Sequence, residues 1–151
     1  DYLADGDYRA RQSQATLSSA MDVGAPSNFE RMAAHFSWEE MRKVILGVSV
    51  TDEETKDTIA EVYRRWGYFI DPHSAVGWKG ADKLRAGGLL GGEPCPLAVL
   101  STAHPAKFAE TVEPAAGAAA PLPPSLAGAM GRTASARTIP ATIEALLEAL
   151  A

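Results

Sequence analysis

A single cysteine, Cys95, rules out an internal disulfide and makes a reducing compartment, the cytoplasm, the default expectation. Apolar runs are short. None approaches the roughly 20 residues that a membrane span needs, and the polar opening is unlike a signal peptide. The 14 basic residues are outnumbered by 19 acidic ones and do not cluster, so the electrostatic footprint of a nucleic-acid binder is missing. His35, His73, His104 and Cys95 have none of the close pair spacings of a zinc site, which predicts no metal. Gly87, Gly88, Gly91 and Gly92 crowd together, but without the strand before and helix after that a phosphate-cradling loop requires. An initiator methionine is lacking too. Asp1, Tyr2 and Leu3 read as the interior of a longer chain, and upstream sequence is expected.

What is present is mostly helical patterning. With 46% hydrophobic residues, the 151-residue chain can bury a core as one folded unit. Residues 1–25 read as loop, with a strand hint at 15–17. Three Ser/Thr-x-x-Glu pairs, Ser27 with Glu30, Ser37 with Glu40 and Thr51 with Glu54, each precede an apolar stripe at helical spacing and predict capping boxes. The first helix presents Phe29, Met32, Ala33 and Phe36. The second presents Trp38, Met41 and Ile45 and stops at Gly47. The third presents Ile59, Val62, Tyr63 and Trp66 and ends at Gly67. Asp71 before Pro72 predicts an N-cap and first turn of a helix reaching about residue 84. Residues 86–94 read as a flexible connection. A helix is expected over 105–112, then a Pro/Ala linker over 114–124, a short helix from Pro123 and Pro124, and a last helix with the stripe Ile139, Ile143, Leu146, Leu147 and Leu150.

One run breaks this pattern. Leu97, Ala98, Val99 and Leu100 are apolar without alternation, which predicts a strand over 96–101, covered on both faces in a parallel sheet. Ser101, Thr102 and His104 follow it, and Pro105 suits a first helical position. In such sheets ligands bind beyond the carboxyl ends of strands, where these side chains would sit. The fold class expected is therefore α/β and helix-rich, with this parallel-sheet strand and shorter candidates at 15–17 and 68–70. A doubly covered strand needs neighbours on both edges, and so few strands cannot supply them. The rest of the sheet is assigned to upstream sequence; alone, the piece should show exposed edges or a helix-dominated packing.

STAHPAKF at 101–108, SSAMDVGAPSNFER at 18–31 and DPHSAVGW at 71–78 resemble the C-terminal third of the bacterial threonine synthase family. That family comprises pyridoxal-phosphate enzymes of the tryptophan-synthase β-subunit fold. The motifs fall in the family's order, and the resemblance implies that 1–151 is a C-terminal fragment of the large catalytic domain. It also implies that Thr102 is the hydroxyl that hydrogen-bonds the pyridine nitrogen of the cofactor; capping of the following helix is the plain alternative. Ser101 would face the other way, toward a helix, as a weaker cofactor contact. His104 could shape the pocket or accept a proton, although a lone histidine before proline is more often structural. Ser27, Asn28 and Arg31 offer helix-start amides, a side-chain amide and a guanidinium to an anionic substrate group, against the plain reading of a cap and a surface charge. His73 reads as cap or helix packing.

The family's Schiff-base lysine sits in a Ser-Phe-Lys-Asp type of motif, which none of Lys43, Lys56, Lys79, Lys83 and Lys107 matches. No catalytic residue is therefore assigned here, and the fragment alone is expected to be inactive and not to retain pyridoxal phosphate. The resemblance implies that the complete enzyme converts O-phosphohomoserine and water to threonine and phosphate, with the remainder of its own chain as partner. Two alternatives stand beside it: a threonine-synthase-like phospholyase that eliminates phosphate without adding water, and a non-enzymatic helical module that binds a partner.

Overall fold

The computed structural model describes residues 2–90, 96–133 and 135–151. Asp1, Gly91, Gly92 and Cys95, on which the sequence raised expectations, lie outside them. The described residues form eight α-helices in two compact units, Asp1–Pro121 and Leu122–Ala151.

The first unit is built on a helix pair whose ends are closed by their own side chains. Helix α4, Asp52–Trp66, starts at a complete capping box: Glu54 N–H donates to Thr51 Oγ1 at 3.2 Å, and Thr51 N–H donates to Glu54 Oε2 at 2.9 Å. Asp52, Glu53 and Glu54 lie in its first turn and Arg64 and Arg65 in its last, matching the helix dipole. Gly67 ends it at φ 62°, a left-handed cap that a side chain would strain. Helix α5, Pro72–Ala86, starts on Asp71 with proline in its first turn. Lys83, near the end of α5, pairs with Glu54 at the start of α4 at 2.6 Å and donates to Ser49 O at 2.8 Å, so the two helices run antiparallel.

Helix α6, Ala109–Ala116, packs on α4 and ends at left-handed Gly117. Ile59, Val62, Ile70, Ala75, Val112 and Ala120 form the core where α4, α5 and α6 meet. Glu113 Oε1 accepts the Ala120 amide at 3.2 Å, folding the chain after α6 back onto this core. The buried side of α4 is Thr55, Thr58, Ile59 and Val62. The threonine hydroxyls donate to Thr51 O and Glu54 O, whereas Trp66, expected inside, is 51% exposed.

Toward the N-terminus are α1, Tyr2–Asp5; α2, Asn28–His35; and α3, Trp38–Val44. Phe29 on α2 meets Tyr2 edge-on and stacks on Tyr8. Gly6, at φ 78°, lies so close to the Trp38 ring that a Cβ would come within 3.2 Å of it. Met41 on α3 is buried, and the Ser37 and Glu40 capping box is complete. The second unit contains α7, Pro124–Met130, and α8, Ile143–Leu150, the latter starting on Thr142, whose hydroxyl accepts the Ala145 amide at 3.2 Å. Residues 117–123 between α6 and α7 are not helical.

Several expectations are corrected. The fold is helical rather than α/β: the described residues include no strand. Residues 96–104 have no regular secondary structure, and no residue of 97–103 makes a backbone–backbone hydrogen bond among the described residues. A segment becomes a strand only when a neighbour accepts and donates along its edge, and the described residues provide none. Leu97 and Leu100 are 48% and 80% exposed, so the run is not doubly covered. Residues 15–17 and 68–70 are likewise not strands; of the latter, Ile70 is buried in the helical core.

The Ser27 and Glu30 capping box does not form. Ser27 has helical angles, φ −61° and ψ −25°, so its hydroxyl is turned away from the amides of the first turn. Phe29 N–H donates instead to Pro26 O, and Glu30 N–H to Ser27 O. α3 ends at Val44, three residues before Gly47, and Ile139 precedes α8 rather than belonging to it.

Candidate functional site

Asp71 is the centre of a polar cluster set into the helical core. Its position before Pro72 makes it the N-cap of α5, and its neighbours leave it 1% exposed. A buried carboxylate is tolerated only where donors surround it, and four do. Oδ1 accepts the His73 amide at 2.9 Å, the Ser74 amide at 3.4 Å and His73 Nδ1 at 2.8 Å, and Oδ2 accepts the Ser74 hydroxyl in a short contact. Asp71 thereby fixes the tautomer and ring orientation of His73. The His73 ring meets Phe108 edge-on at 5.0 Å; its side chain is 8% exposed, and Nε2 is buried without a hydrogen-bond partner among the described residues. On the outside, Asp22 is held below the ordinary carboxylate range by the Thr16 hydroxyl and then the Thr16 amide.

The cluster continues into residues 99–101. Ser74 Oγ and Ser101 Oγ are 3.3 Å apart. The Ser74 hydroxyl is the donor in that contact and is shared between Asp71 Oδ2 and Ser101 Oγ. One turn further along α5, Val99 lies over Gly77, where a Cβ would come within 3.1 Å of Val99 Cγ1. Residues 99–101 therefore lie along α5 in the opposite direction to it, held at Ser74 and at Gly77.

Two pockets flank this segment. One, of about 300 Å³, is mainly apolar and is walled by Trp66, Trp78, Ile70 and Val99, with Ser74 and Ser101 as polar groups. The other, of about 350 Å³, is walled by Tyr68, Phe69, Ser101, His104 and Pro105.

The sequence-derived candidates divide as follows. Thr102 is exposed, lines neither pocket, and its hydroxyl has no hydrogen-bond partner among the described residues. Ser101 is bonded to α5 through Ser74. His104 is the N-cap of the 3-10 turn Pro105–Phe108: its Nδ1 accepts the Ala106 amide at 3.2 Å, a structural task that leaves Nε2 as the protonated nitrogen. Ser27, Asn28 and Arg31 are exposed on and just before α2, and share no hydrogen bond, ion pair or ring contact with 101–104 among the described residues. Lys83 is occupied by Glu54 and Ser49, and Lys107 is exposed in the 3-10 turn.

A neutral, exposed and unpartnered hydroxyl at Thr102 fits a contact to an unprotonated ring nitrogen. No other described group resembles an anchor or phosphate cradle for a cofactor. No three His, Cys, Asp or Glu side chains gather as metal ligands, and no helix is long and apolar enough to cross a membrane, among the described residues. Sequence reasoning missed Ser74 and Gly77. Their signal was a pair of small residues at i and i+3 on one helix, which marks where a second backbone can approach.

The family model for the C-terminal part of threonine synthase matches residues 74–149. The threonine synthase of Serratia marcescens is 37% identical over 145 residues, covering 93% of this chain and 32% of that protein. The Escherichia coli enzyme is 35% identical over 148 residues, 96% of this chain and 32% of its own length. The crystal structure of threonine synthase from Escherichia coli superposes with a TM-score of 0.69, covering 99% of this chain and 33% of that one. Threonine synthase from Brucella melitensis, with pyridoxal phosphate bound, gives a TM-score of 0.73 at 32% identity, covering 89% of this chain and 33% of that one. The chain thus spans about a third of the length of the relatives it matches.

Proposed function

This chain belongs to the threonine synthase family, in that family's C-terminal part, and from this premise we propose that it forms one wall of a pyridoxal-phosphate site completed by the remainder of a longer chain. The parent enzyme converts O-phosphohomoserine and water to threonine and phosphate in the cytoplasm. When bound, pyridoxal phosphate supplies the electron sink for the proton transfers and phosphate loss. The task of this chain's own residues is narrower. Thr102 donates its hydroxyl hydrogen to the ring nitrogen and keeps that nitrogen unprotonated, which a carboxylate at this position would not do. Ser101 holds the segment to α5, and His104 holds the turn that follows. Ser27, Asn28 and Arg31 remain candidates for an anionic substrate group.

The observation that carries this reading is the exposed, unengaged hydroxyl of Thr102 between Ser101 and His104, whose side chains are both hydrogen-bonded. The test is made on the longer chain that contains these residues. Threonine and phosphate should form from O-phosphohomoserine; a keto acid in place of threonine would indicate the phospholyase. Thr102→Ala should lower kcat roughly ten- to thirtyfold, the equivalent of one hydrogen bond of about 1.5–2 kcal/mol, and Thr102→Ser should restore most of it. An unchanged kcat in Thr102→Ala would remove the assignment.

A further inference from the structure

We infer that Asp71, Ser74 and Gly77 form a clip on α5 that sets where residues 99–104 lie, and so act as positioning residues for the Thr102 hydroxyl; this rests on the reading above. Two attachments one helical turn apart fix both the position and the direction of the segment. The polar one runs from Ser101 through Ser74 to the buried Asp71. The apolar one is Val99 in the space left by the missing side chain of Gly77. Residues 99–103 make no backbone–backbone hydrogen bond among the described residues, the first being Lys107 N–H to His104 O, so the lie of 99–103 depends on these two points. Thr102 follows the polar attachment by one residue, too short a tether for its hydroxyl to wander independently.

The clip is tested in two settings. In this chain, nuclear Overhauser contacts between the Val99 methyls and the Gly77 Hα report the docked segment. Ser101→Ala should abolish them and Ser101→Thr should keep them. Ser101 is exposed, so neither change threatens the core. Gly77→Ala should also displace Val99 while thermal stability holds or rises, because alanine is the better helix former by about 0.5–1 kcal/mol. A merely structural role would move both together. In the full-length holoenzyme, Ser101→Ala and Ser74→Ala should shift the cofactor absorption band and lower kcat roughly tenfold at nearly constant KM, since an ångström's misplacement can cost up to about a hundredfold. The Ser74→Ala, Ser101→Ala double variant should be no worse than Ser74→Ala alone. Contacts that survive Ser101→Ala, or a band and kcat that stay unchanged in a holoenzyme making threonine, would overturn the clip. A wild-type holoenzyme that makes no threonine would instead overturn the functional reading beneath it.

Discussion

Helix α4 is mostly charged and residues 96–104 are mostly apolar, yet the first is a fixed element of the core and the second only rests against it. α4 satisfies its first amides from Thr51 and its last carbonyls through Gly67, and puts Ile59 and Val62 out of reach of water. Among the described residues, 97–103 make no backbone–backbone hydrogen bond, bury part of Val99, and leave Leu100 80% exposed. A helix closes its hydrogen bonds within itself, whereas an extended segment needs another chain segment beside it. An apolar run thus signals burial without saying what will do the burying.

The contrast can be broken most strongly at Ile59, which is fully buried. Ile59→Ala should cost about 2–5 kcal/mol in urea unfolding followed by tryptophan fluorescence. A loss below about 1 kcal/mol would mean that α4 is not the centre of the core. Next, Thr51→Ala removes one half of a capping box and should cost about 1 kcal/mol, while Ser27→Ala, whose hydroxyl caps nothing, should be near neutral.

Acid should also loosen α4 from α5. Lys83, and secondarily the Thr51 amide, hold Glu54 below its ordinary pKa. A depressed carboxylate contributes stability above its unfolded-state pKa and loses it as pH falls through the folded-state value. Stability should therefore drop below the ordinary glutamate range, and Glu54→Gln should flatten that part of the pH profile. The smallest effect is expected at Leu100, where Leu100→Ala should stay within about 0.5 kcal/mol in this chain. A loss of several kcal/mol there would restore the inner-strand reading of 96–101.

Much of the helical architecture was legible because its signals are local. The Ser37 and Thr51 boxes, Asp71 before Pro72, and Gly67 specify their own ends within three or four residues. Ser27 and Glu30 carry the same letters, but Pro26 and the helical angles of Ser27 let carbonyls take the amides instead, so composition alone misjudged that start. Asp71 and His73 were readable as a cap and a first-turn residue. That Ser74 joins them to Ser101, and Gly77 admits Val99, depends on two stretches more than twenty residues apart coming together.

Local chemistry along the chain by itself determined where α4 and α5 begin and which family the motifs resemble, since capping geometry and motif wording are properties of short windows. Only the tertiary structure decided that 97–103 lies against a helix with no backbone partner among the described residues, and that a buried aspartate governs its attachment. Pairing, burial and the satisfaction of a carboxylate are properties of neighbours in space, which no single window of sequence contains.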